Sequence, residues 1–163
     1  MRYHDITKTS LVNGDGIRTV LWVSGCNHHC LECQNPITWD AKDGLEFDSD
    51  AEIELFSCLD AEYRAGLTLS GGDPLFPANR FTILRICKRF RHRYGHTKTI
   101  WLYTGYLWEE IKDLEIMQYI DVLVDGPYIK DLNDVNYKWA GSTNQRVIDV
   151  PSSLQTGKVV LHE

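Results

Sequence analysis

Short apolar segments of strand length alternate along this chain with segments that have helical periodicity. The strand-like segments are continuous apolar runs at residues 19–24, 66–69, 99–103 and 120–124. The helix-like segments lie at residues 49–64, 81–94 and 107–119, the last being one helix or two short ones. Residues 146–150 and 158–161 are weaker strand candidates. This alternation predicts an α/β fold in which right-handed crossovers make successive strands parallel.

The length of the chain limits the size of the sheet. A complete eight-stranded (β/α) barrel needs roughly 200 residues or more, whereas this chain has 163. We therefore expect a single domain over residues 1–163, folded as a small partial (β/α) barrel with a mostly parallel sheet. The helix faces expected against the sheet comprise Ile53, Phe56, Leu59 and Tyr63 in the first helix and Phe81, Leu84, Cys87 and Phe90 in the second.

Each of the four predicted strands ends in a turn that contains glycine and a small polar or acidic residue. The turns are Ser24-Gly25-Cys26, Ser70-Gly71-Gly72-Asp73-Pro74, Thr104-Gly105-Tyr106 and Asp125-Gly126-Pro127. Ligands bind at the carboxyl ends of parallel strands, which meet at one edge of the sheet, so the four turns are expected to surround one site. Because an unpaired buried acid is costly, Asp125 is expected either to bind the ligand or to cap a turn.

Three cysteines in and after the first turn indicate a metal site. Cys26, Cys30 and Cys33 have the spacing C-x3-C-x2-C. A 4Fe–4S cluster commonly takes four cysteine ligands, so a loop with three leaves one iron free to bind another group. The alternative is a structural zinc site with His28 or His29 as the fourth ligand. Both histidines lie between the first two cysteines, which makes that alternative awkward.

The double-glycine turn is the second motif. Gly71 and Gly72 allow the backbone to approach a ligand closely or to adopt positive φ, and carbonyl groups there suit an ammonium group. The structural interpretation is a tight β–α turn in which Pro74 begins the next segment. Its place at the end of the strand that follows the cysteine loop favours a ligand-binding role.

Together the two motifs resemble those of radical S-adenosylmethionine (SAM) enzymes, in which a Gly-Gly-Glu/Asp-Pro element binds the methionine amino group. Within that superfamily the chain is similar, over nearly its whole length, to the small activating enzymes of anaerobic ribonucleoside-triphosphate reductase. The matching blocks are residues 13–16, 24–26, 33–35, 38–39, 69–75, 100–106, 122–126 and 139–146. The last block ends in Gly-Ser-x-Asn-Gln-Arg and is the most specific, because generic radical SAM proteins lack it.

The chain departs from the family pattern at three places. The family often has Gly-Pro-Gly where this chain has Gly14-Asp15-Gly16, an aromatic residue where it has Glu32, and tyrosine where it has Gln34. The aromatic residue can support the adenine in relatives, so Tyr103 or Tyr106 is considered for that contact here.

The resemblance implies two cofactors and one protein substrate. A 4Fe–4S cluster is expected on Cys26, Cys30 and Cys33. SAM is expected to contact Glu32, Cys33, Gln34, Ser70, Gly71, Gly72, Asp73 and Thr104. The cofactor would carry the radical, so no catalytic side chain is expected. The implied activity is that of an oxidoreductase that cleaves SAM reductively and forms a glycyl radical on the large subunit of anaerobic ribonucleoside-triphosphate reductase, with a flavodoxin-type electron donor.

Three other functions are considered. The nearest is activation of another glycyl radical enzyme, such as pyruvate formate-lyase, against which the Gly-Ser-x-Asn-Gln-Arg block and the short length argue. A radical SAM enzyme acting on a small molecule would usually need more chain to close a pocket. A non-catalytic zinc- or cluster-binding module would cleave no SAM.

The net charge and the composition limit the classes of molecule that the protein can bind and indicate its cellular location. The net charge of -6 and the pI of about 5.5 disfavour nucleic acid. No apolar run approaches the ~20 residues that a membrane span needs, and the N-terminal residues lack the apolar core of a signal peptide. We therefore expect a cytoplasmic protein without a membrane partner and with reduced cysteines, of which Cys58 and Cys87 are interpreted as core residues.

The remaining candidates have structural interpretations. The basic run from Lys88 to Lys98 is interpreted as a solvated helix end, with a docking patch as the alternative. Core positions are expected for Trp22, Trp101 and Trp108, and no partner is predicted for His4, His92, His96 and His162.

Overall fold

The computed structural model describes residues 1–163 and contains one seven-stranded sheet. The strands are β1 (Arg2–Ser10), β2 (Arg18–Val23), β3 (Leu45–Glu46), β4 (Gly66–Gly71), β5 (Thr99–Tyr103), β6 (Val122–Asp125) and β7 (Arg146–Asp149). The helices are α1 (Ser49–Leu59), α2 (Arg80–Tyr94), α3 (Trp108–Ile111) and α4 (Val150–Thr156). Short 3₁₀ turns lie at Pro36–Thr38, Pro77–Asn79, Glu115–Tyr119 and Lys130–Leu132.

The sheet has a parallel centre and antiparallel edges. The strand order is β3-β1-β2-β4-β5-β6-β7. The four central strands β2, β4, β5 and β6 pair in parallel, whereas β1 and β3 on one side and β7 on the other pair antiparallel to their neighbours. The two edge strands do not meet, so the barrel is open. The predicted α/β partial barrel is confirmed.

The sequence prediction missed β1, which has nine residues. Only Tyr3, Ile6 and Ser10 of this strand are buried, and the residues between them are polar or charged. Because β1 lies beside the edge strand β3 and pairs antiparallel with β2, it can expose much of its surface. It therefore lacks the continuous apolar run that identified the central strands.

The helices α1 and α2 bury only part of the faces predicted for them. Phe56, Leu59, Cys87 and Phe90 are buried as predicted, but Ile53, Tyr63 and Phe81 are 64%, 67% and 77% exposed. In α1, Ala51 and Leu55 take the expected place of Ile53, and the helix ends at Leu59 rather than at residue 64. The acidic start is as predicted, since the Asp48 side chain accepts a hydrogen bond from the Ala51 amide at 2.9 Å.

The C-terminal segment contains a helix at Val150–Thr156 and lacks the strand predicted at residues 158–161. Residues 158–161 contribute only an isolated bridge between Ile148 and Leu161, which corrects the weaker strand prediction there. Helix α4 was not predicted, although Asp149 caps it by accepting from the Ser152 amide at 3.0 Å and Gly157 ends it in the left-handed region. Residues 107–119 form α3 and a separate 3₁₀ turn, which agrees with the two-helix option.

The two faces of the sheet are covered differently. Alternate residues of the central strands, including Leu21, Leu69, Leu102 and Leu123, join the helices in the main apolar core. The opposite, concave face carries a small cluster made of Trp101, Val122, Val124 and Val147. It is covered by residues 127–145, which we call the strap, through Trp139 and Ala140.

Arg18 lies completely buried at the start of β2. Its guanidinium donates hydrogen bonds to Thr68 Oγ1 at 2.8 Å, to Thr99 Oγ1 at 2.9 Å and to three backbone carbonyls. Burial lowers the pKa of Arg18 to about 10, so the side chain stays charged at neutral pH. The start of the central strands is thus filled by a polar network, and the opposite ends of those strands are free to form a site.

The basic run on α2 is largely paired with acids of neighbouring elements. Arg89 pairs with Glu52, Lys88 with Glu115 at 2.9 Å, Arg91 with Asp121 at 2.6 Å and Arg93 with Asp60 at 2.5 Å. These pairs favour the helix-end interpretation over the docking patch. None of the helices combines the length and the apolar character needed to cross a membrane.

Candidate functional site

A cavity of about 780 Å³ opens at the carboxyl ends of the four parallel strands. All four glycine turns contribute to its lining, as the sheet topology predicts. They supply Cys26, Ser70, Gly71, Gly72, Thr104, Gly105 and Gly126. Cys30, Cys33 and Gln34 of the cysteine loop and residues 135–141 of the strap complete much of the wall.

The double-glycine turn fits tightly against the turn that follows β2. A side-chain carbon added at Gly72 would lie 2.5 Å from the Gly25 carbonyl oxygen, and Gly71 has a φ of 113°. The Gly72 amide donates to the Val23 carbonyl at 2.8 Å. Only glycine satisfies both the φ of Gly71 and the closeness at Gly72, so this turn packs directly on neighbouring backbone while it lines the cavity.

Asp73 uses its carboxylate inside the protein. The residue is 1% exposed. Its oxygens accept from the Leu75 amide at 2.8 Å, from Thr104 Oγ1 at 2.9 Å and from the Gly105 amide at 3.0 Å, and they pair with His28 Nε2 at 2.8 Å. Asp73 therefore joins two turns and the cysteine loop. A direct contact of Asp73 or Thr104 with SAM stays a prediction.

The three cysteines of the loop and His28 line the cavity, and both histidines of the loop contact other side chains. His28 pairs with Asp73, and His29 stacks on Trp39 with ring centroids 4.4 Å apart. No group of three His, Cys, Asp or Glu side chains surrounds a single point where one metal ion would sit. In a 4Fe–4S cluster each thiolate binds a different iron, so the three thiols surround the cluster without meeting at a single point. The donor set therefore fits an iron–sulfur cluster better than the zinc alternative.

Cys26 is a partly buried candidate ligand. Burial raises the pKa of the Cys26 thiol, and backbone hydrogen bonds from His28 and His29 oppose that shift. A bound metal deprotonates such a thiol directly. The local environment thus favours a neutral thiol in the free protein and a thiolate once iron is bound.

Two predicted SAM contacts lie outside the cavity wall. Glu32 is exposed and pairs with Lys130 of the strap at 2.6 Å, and Asp73 is buried behind the wall. The other predicted residues, Gln34, Ser70 and Thr104 among them, line the cavity. Tyr103 lines it as well, and burial raises the pKa of its hydroxyl.

Tyr106 and Asp125 have defined structural partners. The ring of Tyr106 packs edge-on to His28 at 4.6 Å and lies under the Arg80 guanidinium. Asp125 is completely buried, accepts from the Trp108 amide at 2.8 Å and binds Arg146 Nε at 3.1 Å. Of its two predicted roles, Asp125 therefore has the capping one, at the start of α3.

Comparison with known proteins places the chain in a family. It matches the family described as "4Fe-4S single cluster domain" over residues 12–148. It is 46% identical to the anaerobic ribonucleoside-triphosphate reductase-activating protein of Enterobacteria phage T4 over 147 residues, which cover 90% of this chain and 93% of that protein. Proteins of the same name from Vibrio cholerae and Escherichia coli K12 are 41% and 40% identical, over 89% and 90% of this chain and 96% and 97% of theirs.

The chain is a member of the anaerobic ribonucleoside-triphosphate reductase-activating protein family. The resemblance read from its motifs is thus confirmed, and so is the 4Fe–4S class of its cofactor. Ligation by three cysteines and the binding of SAM stay predictions.

In this family member the Gly-Ser-x-Asn-Gln-Arg block builds the base of the strap. The Gln145 side chain accepts from the Gly141 amide at 2.9 Å and donates to the Gly126 carbonyl at 3.0 Å, while Asn144 donates to the Pro127 carbonyl at 2.7 Å. Trp139, with a φ of 65°, packs on Trp101. The block was visible in the sequence, but its position over the concave face was not.

One histidine without a predicted partner has one, since His162 pairs with Asp15 at 2.6 Å. His4 Nε2 lies 3.8 Å from Asp43 and forms no hydrogen bond. Trp101 and Trp108 are buried as expected, whereas Trp22 is half-buried, lines the cavity and donates to Thr7 Oγ1 at 2.8 Å. Long-range pairs of this kind leave no signal in sequence spacing.

Proposed function

We propose that this chain activates anaerobic (class III) ribonucleoside-triphosphate reductase by generating its glycyl radical through reductive cleavage of SAM at a 4Fe–4S cluster. One observation carries the proposal: three thiols on one loop and a double-glycine turn line the same cavity at the ends of four parallel strands. The names of relatives at 40–46% identity support the identity of the partner.

The residues present fit both cofactors. Cys26, Cys30 and Cys33 would hold the cluster, and the backbone of Gly71 and Gly72 can be approached at contact distance by the methionine end of SAM. The chemistry that cluster and SAM supply when bound is reductive cleavage of SAM and abstraction of an α-hydrogen from a glycine of the reductase. The role of the chain is to bind and orient, and no side chain is required to transfer a proton.

The mouth of the cavity suits a protein substrate. Leu11, Val12 and Val135 line the cavity and are 71%, 76% and 91% exposed. Exposed apolar residues grouped at a cavity mark a surface that binds another molecule. A loop of the reductase that carries the glycine would cover them, whereas a small substrate would leave them in water.

The electron for SAM cleavage would come from a separate protein of the flavodoxin type. The two cysteines outside the loop do not extend the metal site, because Cys87 is completely buried and Cys58 lies on α1.

The net charge of -6 supports a protein rather than a nucleic acid as partner. A cytoplasmic location agrees with a donor and a substrate of this kind.

Anaerobic reconstitution tests the proposal. The protein is loaded with iron and sulfide, reduced with dithionite and assayed for 5′-deoxyadenosine after SAM is added. Cleavage should be lost in Cys30→Ala and kept in Cys58→Ala, the matched cysteine control. Cleavage by Cys30→Ala, or a zinc-loaded wild-type protein without cleavage, would overturn the assignment.

A second measurement identifies the protein substrate. Electron paramagnetic resonance should detect a glycyl radical when the loaded protein is mixed with anaerobic ribonucleoside-triphosphate reductase. Pyruvate formate-lyase serves as the competing substrate. A radical formed on pyruvate formate-lyase and not on the reductase would favour the alternative activase.

A further inference from the structure

The side chain of His28 is 19% exposed and is used neither by the expected cluster nor by the expected SAM contacts. It lies between the candidate ligands Cys26 and Cys30, and its Nε2 lies 2.8 Å from Asp73 Oδ2. The ring packs against Tyr106, and a side-chain carbon added at Gly105 would come within 2.5 Å of it. The turn after β5 therefore accommodates this ring only because residue 105 is glycine.

The partner of His28 is a carboxylate that requires complete pairing. Asp73 is 1% exposed, and a buried carboxylate is stable only when its oxygens are hydrogen-bonded. The Leu75 amide, the Thr104 hydroxyl and the Gly105 amide come from the turns after β4 and β5. His28 is the one donor that comes from the cysteine loop, so the carboxylate connects that loop to the double-glycine turn.

The Cys26 amide ties the start of the cysteine loop to the Trp39 carbonyl at 3.1 Å, but the other side-chain attachments of the loop are exposed. Glu32 pairs with Lys130, and both side chains are about half exposed, at 58% and 49%. Such exposed pairs contribute little to stability. Leu31 is 77% exposed, and His29 stacks on Trp39, which belongs to the segment directly after the loop. The contact between His28 and Asp73 is thus the buried connection between the middle of the loop and the sheet.

We propose that His28 and Asp73 form a clamp that sets the position of the cysteine loop relative to the double-glycine turn. His28 is a positioning residue: it holds the segment between Cys26 and Cys30 at the turn where the amino-acid end of SAM is expected. The inference rests on the proposed function for the identity of the two groups that are aligned. The clamp itself is a property of the free chain.

Three substitutions separate the clamp from simple filling of space. His28→Gln places an amide nitrogen near the position of Nε2 and keeps the donor to Asp73. His28→Leu fills a similar volume without a donor. Asn27→Ala removes an exposed side chain of the same loop that does not contact Asp73, and is the matched control. His28→Asn, too short to reach Asp73, replaces His28→Leu if the leucine variant does not fold.

The first readout is amide hydrogen exchange in the cluster-free protein, measured by mass spectrometry on a peptide that covers residues 26–33. Loss of one buried hydrogen bond should speed exchange there about tenfold in His28→Leu. His28→Gln and Asn27→Ala should exchange at the wild-type rate, and α1 and α2 should be unchanged in all variants. Wild-type exchange in His28→Leu, or equal acceleration in Asn27→Ala, would overturn the clamp.

The second readout uses the reconstituted protein. His28→Leu should bind iron normally but need about ten times more SAM to change the resonance spectrum of the reduced cluster, with His28→Gln close to wild type. An unchanged SAM requirement would show that the clamp does not align the two groups. If the wild-type protein binds no SAM, the proposed function fails, while the exchange experiment still decides whether the clamp exists.

Discussion

The two faces of the sheet are built by different means although the same strands form both. Residues that point towards α1 and α2 are apolar and completely buried, as Leu69 and Leu102 are. Their neighbours in the chain, such as Ser70 and Tyr103, line the cavity. The helix face gains its stability from burial of apolar surface. The cavity face combines a small apolar cluster with glycine backbone, hydrogen bonds and one buried cation.

The two faces of the sheet therefore differ in the amino-acid substitutions that they tolerate. A well-packed apolar face accepts conservative substitutions of similar volume. A face held by particular hydrogen bonds loses its geometry when one partner is removed. Substitutions on the two faces should therefore affect different measurements, stability on one side and the chemistry of SAM on the other.

The largest expected effect is at Gly72. In Gly72→Ala the new carbon would lie 2.5 Å from the Gly25 carbonyl oxygen and 2.7 Å from that of Thr38, so the turn must move away from the cysteine loop. A shift of this size should lower the rate of 5′-deoxyadenosine formation by about 100-fold. Gly157→Ala is the control, because that glycine has a φ of 71° but nothing within 4 Å. Equal rates of 5′-deoxyadenosine formation in Gly72→Ala and Gly157→Ala would show that the cavity face does not depend on the close packing at Gly72.

Neighbouring residues of β4 provide the most direct comparison. Leu69→Ala should lower the free energy of unfolding by about 3 kcal/mol, because it leaves a cavity in the main core. Ser70→Ala should change that free energy by less than about 0.5 kcal/mol and weaken SAM binding by about fivefold through one lost hydrogen bond. Urea unfolding and SAM titration measure the two quantities. A stability loss in Ser70→Ala as large as in Leu69→Ala would contradict the comparison.

Arg18 tests whether polar contacts stabilise the concave face. Arg18→Met keeps much of the side-chain volume but removes the donors to Thr68, Thr99 and the backbone carbonyls. Unsatisfied buried acceptors should cost about 2 kcal/mol in the free energy of unfolding, measured by urea unfolding. A variant as stable as the wild type would show that apolar filling alone is sufficient at this end of the sheet.

The smallest effect is expected on the outer surface of the helix layer. A hydrogen bond from Arg93 holds the pKa of the Asp60 carboxyl below its ordinary value. A lowered pKa in the folded state stabilises the protein above the unfolded pKa of about 4, and this stabilisation is lost as the pH falls through the folded pKa. Asp60→Asn should therefore lower the Tm at pH 7 by only about 1–2 °C. Thermal unfolding at pH 3 should show a smaller difference, and a larger one there would contradict the sign.

The predictability of the molecule from its sequence follows the same division. Continuous apolar runs located the central strands, because strands buried on both faces lack polar alternation. Helical spacing identified Phe56 and Phe90 but wrongly placed Ile53 and Phe81 in the core, since a stripe of apolar residues does not show which edge of the stripe meets the sheet.

The candidate site was predictable in its parts and not in its connections. The cysteine loop and Gly72 were found from motif and spacing, and the sheet topology placed them at one edge. The pairing of His28 with Asp73 spans 45 positions, and that of Glu32 with Lys130 spans 98. Each pair depends on the path of the whole chain, so no local sequence pattern shows that these residues are partners.

The order of the segments along the chain has a consequence for biosynthesis. The cysteine loop leaves the ribosome before the segments that enclose it, since synthesis proceeds from the N-terminus. Asp73 follows it, then Gly105, and the strap that ends at Gln145 comes last. A nascent chain therefore displays the three thiols before the cavity around them exists. The wall of that cavity is complete only when the carboxyl-terminal third of the protein is in place.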